Sequence, residues 1–216
     1  MNVTNIVVLI SGSGTNLQAI IDQIEAGEIN GRIVAVISNR PNVKGLQRAQ
    51  QHGLESVVVD HTEFESRERF DAALQQRIDG FEPDLVVLAG FMRILTDQFV
   101  KHYEGRMLNI HPSLLPKFKG LNTHQRAIDA QESQHGCSVH FVSAELDSGA
   151  VIGQAKVAIS GNDTAESLSK KVQKQEHALY PACVKLFCNG EIKSTPQGVT
   201  YQGTLLPDTG LDLTEG

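Results

Sequence analysis

Residues 6–18 read IVVLISGSGTNLQ, a run of apolar and mostly β-branched residues followed by a turn with two glycines. Such a run is typical of a strand that is buried on both faces of a parallel sheet. Beyond the turn, Leu17, Ile20 and Ile24 recur at the spacing of one helix face. The order strand, glycine turn, helix predicts an α/β protein. It also predicts an anion site, because backbone N–H groups of the turn would lie at the positive end of the helix.

The glycine turn differs from the fingerprint of dinucleotide-binding proteins. Leu17 occupies the place of the third glycine in the pattern GxGxxG. After the second apolar run, residues 38–40 (SNR) lack the acidic residue that would bind a ribose hydroxyl. A tight turn that binds nothing is one alternative. We favour a site for a single phosphate group, formed by Gly14, Thr15 and Asn16.

Further apolar runs predict the rest of the sheet. Strands are expected at residues 33–37, 56–59, 85–90, 107–111, 138–142 and 150–157, with helices between most of them. The connection between the last two strands is short, which requires an antiparallel pair in an otherwise parallel sheet. The predicted fold class is therefore α/β, a Rossmann-like open mixed sheet that is mostly parallel and flanked by helices.

The C-terminal part of the chain is predicted to contain a long helix and an extension. We expect a helix over residues 163–188, and Pro181 should kink or interrupt it because proline has no backbone N–H to donate. We assign residues 1–190 to the α/β domain and residues 191–216 to an extension packed on the same domain. The acidic end of that extension is expected to be frayed.

Composition argues against several classes of function. The net charge of −6 over 216 residues, without a stripe of Lys or Arg, argues against nucleic-acid binding through many phosphate contacts. No apolar run approaches a membrane span and the first residues do not resemble a signal peptide, so we expect a cytoplasmic protein without membrane association. The three cysteines form no CxxC pair and are expected to be reduced packing residues. No HExxH motif indicates a metal, and no GxSxG motif indicates a serine nucleophile.

The stretch MLNIHPSLLP, residues 107–116, contains the strongest candidate for catalysis. Side chains alternate along a strand, so Asn109 and His111 should share one face. Pro112 should end the strand at His111. This places the imidazole at the carboxyl end of a strand, where open α/β sheets bind ligands. A buried core histidine beside an asparagine is the alternative, and the spacing alone does not decide between them.

A hydrophobic candidate follows the fourth predicted strand. Gly90 at the end of that strand allows the backbone of residues 91–95 (FMRIL) to approach a ligand closely. Met92, Ile94 and Leu95 would then be exposed where a hydrophobic ring could lie. A loop that packs under the next helix is the alternative.

Two charged candidates, Asp147 and Arg67, are ambiguous from sequence alone. Asp147 precedes Ser-Gly in the predicted turn, where an Asp usually bonds to its own backbone. Arg67 lies in the first turn of a helix that Ser66 can cap, where most arginines are solvated. If Asp147 approaches His111 instead, it favours the imidazolium form, and the Asn109 amide can donate to an oxyanion. Together with the phosphate turn, these residues predict acyl or carbonyl chemistry on a phosphorylated small molecule.

The motifs resemble those of the phosphoribosylglycinamide formyltransferases, folate-dependent enzymes of purine biosynthesis, over nearly the whole chain. NIHPSLLP is shared with other 10-formyltetrahydrofolate enzymes, so it indicates the folate, whereas SGSGTNL and QEHALYP together indicate the glycinamide ribonucleotide branch. The matching pieces are VVLISGSGTNLQAII, VVLAGFMRIL, NIHPSLLPKFKG, HGCSVHFV, ELDSG and QEHALYP.

The resemblance implies a formyltransferase fold, a reaction and a set of site residues. The reaction would move the formyl group of 10-formyltetrahydrofolate, a co-substrate, to the amino group of glycinamide ribonucleotide, directly through a tetrahedral intermediate and without a metal. The implied catalytic residues are Asn109, His111 and Asp147. The implied ribonucleotide site comprises Gly14, Thr15, Asn16, Gln173, Lys174, Gln175 and Glu176. The implied folate site comprises Arg67, Met92, Arg93, Ile94, Leu95, Asn109, Ser143, Ala144, Glu145, Leu146 and Asp147.

Two other functions remain open at this point: a 10-formyltetrahydrofolate hydrolase, and a non-catalytic nucleotide-binding regulator that uses the glycine turn. Residues 112–122 contain two prolines and predict an irregular, mobile loop that could close over the site as a lid. The expected partners are the two small-molecule substrates, with the protein a monomer or a weak homodimer.

Overall fold

The computed structural model describes residues 2–214, which form a large mixed sheet with helices on both faces and a second, small sheet. The strands are β1 (Thr4–Ile10), β2 (Gly31–Ser38), β3 (Ser56–Val58), β4 (Leu85–Leu88), β5 (Met107–His111), β6 (Gln134–Phe141), β7 (Val151–Ala158), β8 (Ile192–Thr195), β9 (Gly198–Tyr201), β10 (Thr204–Leu205) and β11 (Leu211–Asp212). The helices are α1 (Thr15–Glu25), α2 (Lys44–Gln51), α3 (Arg67–Asp79), α4 (Asp97–His102), α5 (Thr123–Asp129) and α6 (Ala165–Cys188), with a 3-10 turn at His61–Glu63. The predicted α/β class is confirmed.

Strand β1 lies at the centre of the parallel part of the large sheet, whose order is β11-β7-β6-β5-β4-β1-β2-β3. Its apolar run is fully buried because both faces are covered. Ile6, Val8 and Ile10 belong to one core cluster, together with residues of α1 and α6, whereas Val7 and Leu9 belong to the cluster of α3 and α4. Full burial of each such side chain contributes roughly 1.5–3 kcal/mol.

The sheet changes from parallel to antiparallel at β5. This strand runs parallel to β4 and antiparallel to β6, and β6 runs antiparallel to β7. The predicted mixed sheet is confirmed, but β6 begins at Gln134 and is longer than expected. Its extra residues include Gly136, where a Cβ atom would lie 2.0 Å from the Ala155 carbonyl oxygen. The neighbouring backbone approaches Gly136 so closely that no larger residue fits there. A glycine inside a strand weakens the pattern from which a strand is predicted.

Helix α6 runs without interruption through Pro181, so the predicted interruption is wrong, while the alternative of a kink at this residue stays a prediction. Proline cannot donate to the carbonyl group of His177, yet tertiary packing maintains the helix. Tyr180 is fully buried, and its hydroxyl lies 2.9 Å and 3.0 Å from the carbonyl oxygens of Leu88 and Leu108. This shared hydrogen bond attaches α6 to the last residue of β4 and to the second residue of β5.

The chain beyond α6 forms the small antiparallel sheet β10-β9-β8 and then returns to the large sheet. Strand β11 pairs with β7 in parallel, through Leu211 opposite Gly153 and Asp212 opposite Gln154. Glu215 and Gly216, part of the end expected to be frayed, lie outside the described residues. The division of the chain at residue 190 stays a prediction. Within residues 2–214, no helix is both long and apolar enough to cross a membrane.

Candidate active site

A cleft of about 710 Å³ opens at the carboxyl ends of β4 and β5, where the strand pattern places a ligand site. Asn109 and His111 both line it, while Leu108 of the same strand lies in the core cluster that includes α1 and α6. The alternation expected along β5 is therefore confirmed. Pro112 follows the strand directly, which leaves the imidazole of His111 at its end.

The imidazole of His111 is buried between two acceptors. Its Nε2 lies 2.9 Å from the carbonyl oxygen of Phe118, and its Nδ1 lies 3.4 Å from Oδ2 of Asp147. The side chains of His111 and Asp147 are only 7% and 8% exposed. A ring that carries protons on both nitrogens can satisfy both acceptors. Both ring nitrogens of His111 therefore face hydrogen-bond acceptors.

Asp147 reaches this site because its loop turns sharply. Its backbone φ is 50°, a left-handed conformation that Asp and Asn tolerate better than most residues. Its Oδ2 also accepts a hydrogen bond of 2.9 Å from the backbone N–H of Gly120. The carboxylate thus joins the loop after β6 to the loop that follows β5.

Asn109 contacts a second histidine that the sequence analysis did not identify as part of the site. Its Nδ2 lies 3.2 Å from Nε2 of His140, the residue directly opposite it on β6. Burial lowers the pKa of His140, so the ring stays neutral near pH 7. A neutral imidazole can accept the amide hydrogen.

The glycine turn lies at one end of the cleft. Gly14 has a φ of 69°, and a Cβ atom there would lie 2.6 Å from the Cα of Gly45, so only glycine fits. The first N–H groups of α1 after this turn have no partner within the helix. Arg48 donates a hydrogen bond of 2.9 Å from Nε to the carbonyl oxygen of Ser13, which adds a positive charge beside the turn. The turn is thus built to receive an anion.

Helix α6 supplies the other side of the glycine turn. Asn16 donates a hydrogen bond of 3.0 Å from Nδ2 to Glu176, and Gln173 lies 3.4 Å from Thr15. Burial raises the pKa of Glu176, although the bond from Asn16 opposes this change. Asn16 and Glu176 line the large cleft. The remaining residues predicted for the ribonucleotide site lie beside them on α6: Lys174 is exposed and Gln175 is half-buried.

One wall of the cleft is apolar and open to solvent. Met92 and Ile94 are 61% and 59% exposed, and Leu121 and Leu146 contribute further exposed apolar surface. Concentrated apolar surface of this kind marks a site for an apolar ligand. The predicted exposure of Leu95 is wrong, because this side chain is only 8% exposed and packs in the core cluster of α3 and α4. Leu95 nevertheless lines the cleft.

The remaining residues predicted for the folate site divide into two groups. Arg93, Ser143 and Ala144 line the cleft. Arg67 and Glu145 are not among the residues that line it. The Arg67 side chain is 47% exposed and lies 4.0 Å from Glu68, while Glu145 pairs with Lys119 at 3.4 Å.

Comparison with known proteins identifies the family. The model of the family described as formyl transferase matches residues 4–184. The chain is 50% identical over 206 residues to the phosphoribosylglycinamide formyltransferase of Escherichia coli, an alignment that covers 95% of this chain and 97% of that one. The structure of the phosphoribosylglycinamide formyltransferase of Coxiella burnetii in complex with CHES matches with a TM-score of 0.93 and 49% identity, covering 97% and 98% of the two chains.

The chain belongs to the phosphoribosylglycinamide formyltransferase family. A related region also occurs within much longer proteins. The chain is 44% identical to part of the trifunctional purine biosynthetic protein adenosine-3 of Gallus gallus, over 89% of this chain but only 19% of that protein. The resemblance predicted from the motifs is therefore confirmed, and so is the formyltransferase fold.

Several residues of this formyltransferase site could not be found from its sequence. Phe118 and Gly120 act through backbone atoms, which carry no residue signature. His140 lies in the motif HGCSVHFV, but its contact with Asn109 depends on the register between β5 and β6. Leu121, in the loop after β5, and His124, at the start of α5, also line the cleft.

Metal-binding side chains do not cluster in the described part of this formyltransferase. No group of three or more His, Cys, Asp or Glu side chains among residues 2–214 is arranged to hold a metal ion. His124 and His135 do lie close together, with ring centroids 5.2 Å apart. Burial lowers the pKa of both rings, that of His135 to about 4.

Proposed function

We propose that this formyltransferase moves the formyl group of 10-formyltetrahydrofolate to the amino group of glycinamide ribonucleotide in purine biosynthesis. The observation that carries the proposal is the meeting of Asn109, His111 and Asp147 between an apolar wall and an anion-binding turn. The apolar wall suits the folate rings, and the glycine turn suits the phosphate of the ribonucleotide. The formyl group would then lie between them, beside His111.

The reaction would proceed by direct transfer through a tetrahedral intermediate. The substrate amine attacks the formyl carbon and forms the new C–N bond, while the formyl oxygen becomes an oxyanion. His111 as imidazolium and the Asn109 amide donate hydrogen bonds to that oxyanion. The amine nitrogen then loses a proton, the bond from carbon to N10 of the folate breaks, and N10 takes up a proton. General acid–base assistance of this kind is typically worth 10²–10⁴ in rate.

Asp147 would act through His111. A carboxylate beside an imidazole favours the charged ring and fixes its orientation, and the buried contact at 3.4 Å supports this role. In the free protein Nε2 of His111 contacts the Phe118 carbonyl oxygen. Phe118 must therefore release this nitrogen before it can donate to the substrate. Movement of the loop over residues 112–122 would provide that release.

The two substrates would bind at opposite ends of the cleft. Gly14, Thr15 and Asn16 would hold the ribonucleotide phosphate. Glu176 would reach its ribose from α6, and the site would be completed by Gln173, Lys174 and Gln175. The folate would contact the wall formed by Met92, Arg93, Ile94, Leu95 and the loop of residues 143–147. Arg67, exposed in this structure, would contribute to folate binding only if its long side chain turns toward the cleft.

A product assay tests the proposed function. The protein is incubated with 10-formyltetrahydrofolate, with and without glycinamide ribonucleotide, and tetrahydrofolate and formate are both measured. Tetrahydrofolate that forms only when the ribonucleotide is present is the expected result. Formate released without the ribonucleotide would instead indicate the hydrolase. A nucleotide-binding regulator would be stabilised against heat by NAD or ATP and not by a folate.

The proposal extends to location and assembly. The three cysteines, Cys137, Cys183 and Cys188, are buried and free, which suits a reducing compartment such as the cytoplasm. For its assembly we propose a monomer or a weak homodimer.

A further inference from the structure

His140 is a buried histidine that the proposed reaction has not yet used. It is 2% exposed and lies on β6 directly opposite Asn109 of β5. The register between β6 and β7 shifts between Val139 and His140. Such an irregularity re-aims a side chain and is common beside active sites.

The contacts of His140 determine where its proton lies. Nδ1 is 3.0 Å from the carbonyl oxygen of Phe141, which can only accept, so Nδ1 carries the hydrogen. Burial lowers the pKa of the ring and outweighs the opposing effect of Asp147, so the second nitrogen stays unprotonated near pH 7. Nε2 is therefore a lone-pair acceptor that faces Nδ2 of Asn109 at 3.2 Å.

The residues around His140 restrict the orientation of its ring. The backbone of Gly149 packs so closely that a Cβ atom there would lie 1.6 Å from the Phe141 oxygen and 3.2 Å from Nδ1 of His140. The ring is thus held between Gly149 on one side and Asn109 on the other. It cannot turn to offer an N–H group to Asn109 without losing its bond to Phe141.

An asparagine amide can present either its oxygen or its nitrogen to a neighbour, and the two orientations have opposite consequences for an oxyanion. We propose that His140 is a positioning residue that holds the nitrogen of the Asn109 carboxamide in place by accepting one of its two hydrogens. The second hydrogen of that nitrogen is then free to donate to the oxyanion of the tetrahedral intermediate. With the amide reversed, a carbonyl oxygen would occupy that place and repel the developing charge. This inference rests on the proposed function.

The kinetic test compares two substitutions of similar volume. His140→Met removes the acceptor, whereas His140→Gln retains an oxygen that can accept from Asn109. The Met variant should lose about 10- to 100-fold in kcat, less than the 10²–10³ expected when an oxyanion donor is removed outright. KM for both substrates should change by less than about threefold, and the Gln variant should recover part of the lost kcat.

A double variant distinguishes positioning from general damage. In the Asn109→Ala background, measured by single turnover at high enzyme concentration, His140→Met should cause little further loss. An equal loss in both backgrounds, or a kcat of the Met variant within twofold of the wild type, would overturn the proposal.

A spectroscopic measurement on the unmodified protein completes the test, and it does not depend on the variants folding. Nitrogen-15 chemical shifts of the histidine rings report which nitrogen is protonated. His140 should be neutral with the proton on Nδ1 between pH 7 and pH 8. A proton on Nε2, or a charged ring, would overturn the proposal. If the proton is on Nδ1 but the protein does not formylate the ribonucleotide, the proposed function fails and the hydrogen-bond arrangement stands.

Discussion

The carboxylate of Asp147 lies 3.4 Å from Nδ1 of His111, and both side chains are almost completely buried. A buried carboxylate requires a charged or hydrogen-bonding partner, and here the imidazole and the N–H of Gly120 provide it. His111 ends β5 whereas Asp147 lies in the loop after β6, so the two residues meet only in the folded chain. The proposed catalytic pair therefore depends on the fold. Replacing either residue tests whether the pair is needed for the reaction.

Replacing His111 by alanine should abolish most of the activity. We expect His111→Ala to lower kcat by about 10²–10⁴, the usual contribution of general acid–base assistance. His102→Ala is the matched control, because His102 is a partly exposed histidine on α4 that pairs with Asp79. Steady-state kinetics with both substrates provide the measurement. Near-normal turnover of His111→Ala would refute the catalytic role.

Asp147→Asn should remove the negative charge of this side chain and leave the folded structure unchanged. Asparagine tolerates the left-handed backbone of this position and can still accept from the Gly120 N–H, so the variant should fold normally. Turnover should nevertheless fall by about 10² or more. A kcat close to that of the wild type would show that the pairing is not used; Asp60→Asn, at a residue that does not line the cleft, serves as the control.

The burial of Glu176 should make the free energy of unfolding depend on pH. Because burial raises its pKa in the folded state, the folded protein holds this proton more tightly than the unfolded chain does. Its contribution to the free energy of unfolding is therefore fully present below the ordinary pKa of 4.5 and is lost as pH rises through the raised pKa. Glu176→Gln should thus be more stable than the wild type at pH 8, by a margin that shrinks toward pH 5.

Urea denaturation at both pH values measures this margin, with the exposed Glu166→Gln on the same helix as control. A margin that stays constant with pH would contradict the expectation. The KM for glycinamide ribonucleotide should rise in Glu176→Gln if this residue contacts the ribose, so the gain in stability would accompany a loss of function.

The apolar wall can be tested at a position that does not support the core. Ile94 is 59% exposed, so Ile94→Ser should leave folding intact. If the folate rings cover this side chain, the loss of about 1–2 kcal/mol of apolar contact should raise KM for 10-formyltetrahydrofolate roughly 5- to 30-fold. KM for the ribonucleotide should not change. Val3→Ser, another exposed apolar residue, is the control; equal KM values for both variants would place the folate elsewhere.

Hydrogen exchange tests the predicted mobility of residues 112–122. The structure contains no helix or strand in this loop, as expected, but several contacts restrain it. The N–H of Leu115 bonds to the Ser138 hydroxyl and that of Gly120 to Asp147. We expect rapid exchange for most amides of the loop in the free enzyme, slower exchange at these two positions, and protection throughout when both ligands are bound. Equal exchange with and without ligands would exclude a lid.

Much of this fold could be predicted from the sequence, because strands and helix caps depend mainly on residues that are close together in the chain. The apolar runs located the strands of the parallel core, and the cap at Ser66 was correct, since its hydroxyl accepts from the Arg69 N–H. The alternation along residues 107–111 correctly placed Asn109 and His111 on one face. Asp147 was ambiguous from sequence alone, and only the family resemblance assigned it to the site.

The features that the sequence analysis missed depend on distant contacts. The continuity of α6 through Pro181 relies on packing that includes the Tyr180 hydroxyl bond to two strands, which local propensity does not reveal. The bond between Asn109 and His140 follows from strand register. The family resemblance also has a limit, which Arg67 shows. It assigns this residue to the folate site but does not predict the direction of the side chain.

Strand β11 gives the C-terminal tail a protective role. It covers Gly153 and Gln154 on one side of β7, and the Thr214 hydroxyl accepts from the N–H of Lys156 just beyond them. Without these residues, β7 would present an open row of backbone donors and acceptors to neighbouring molecules. A protein shortened before residue 211 should therefore aggregate more readily in concentrated solution even where its catalytic groups are intact. The tail lies outside the region matched by the family model, yet it covers the edge of β7.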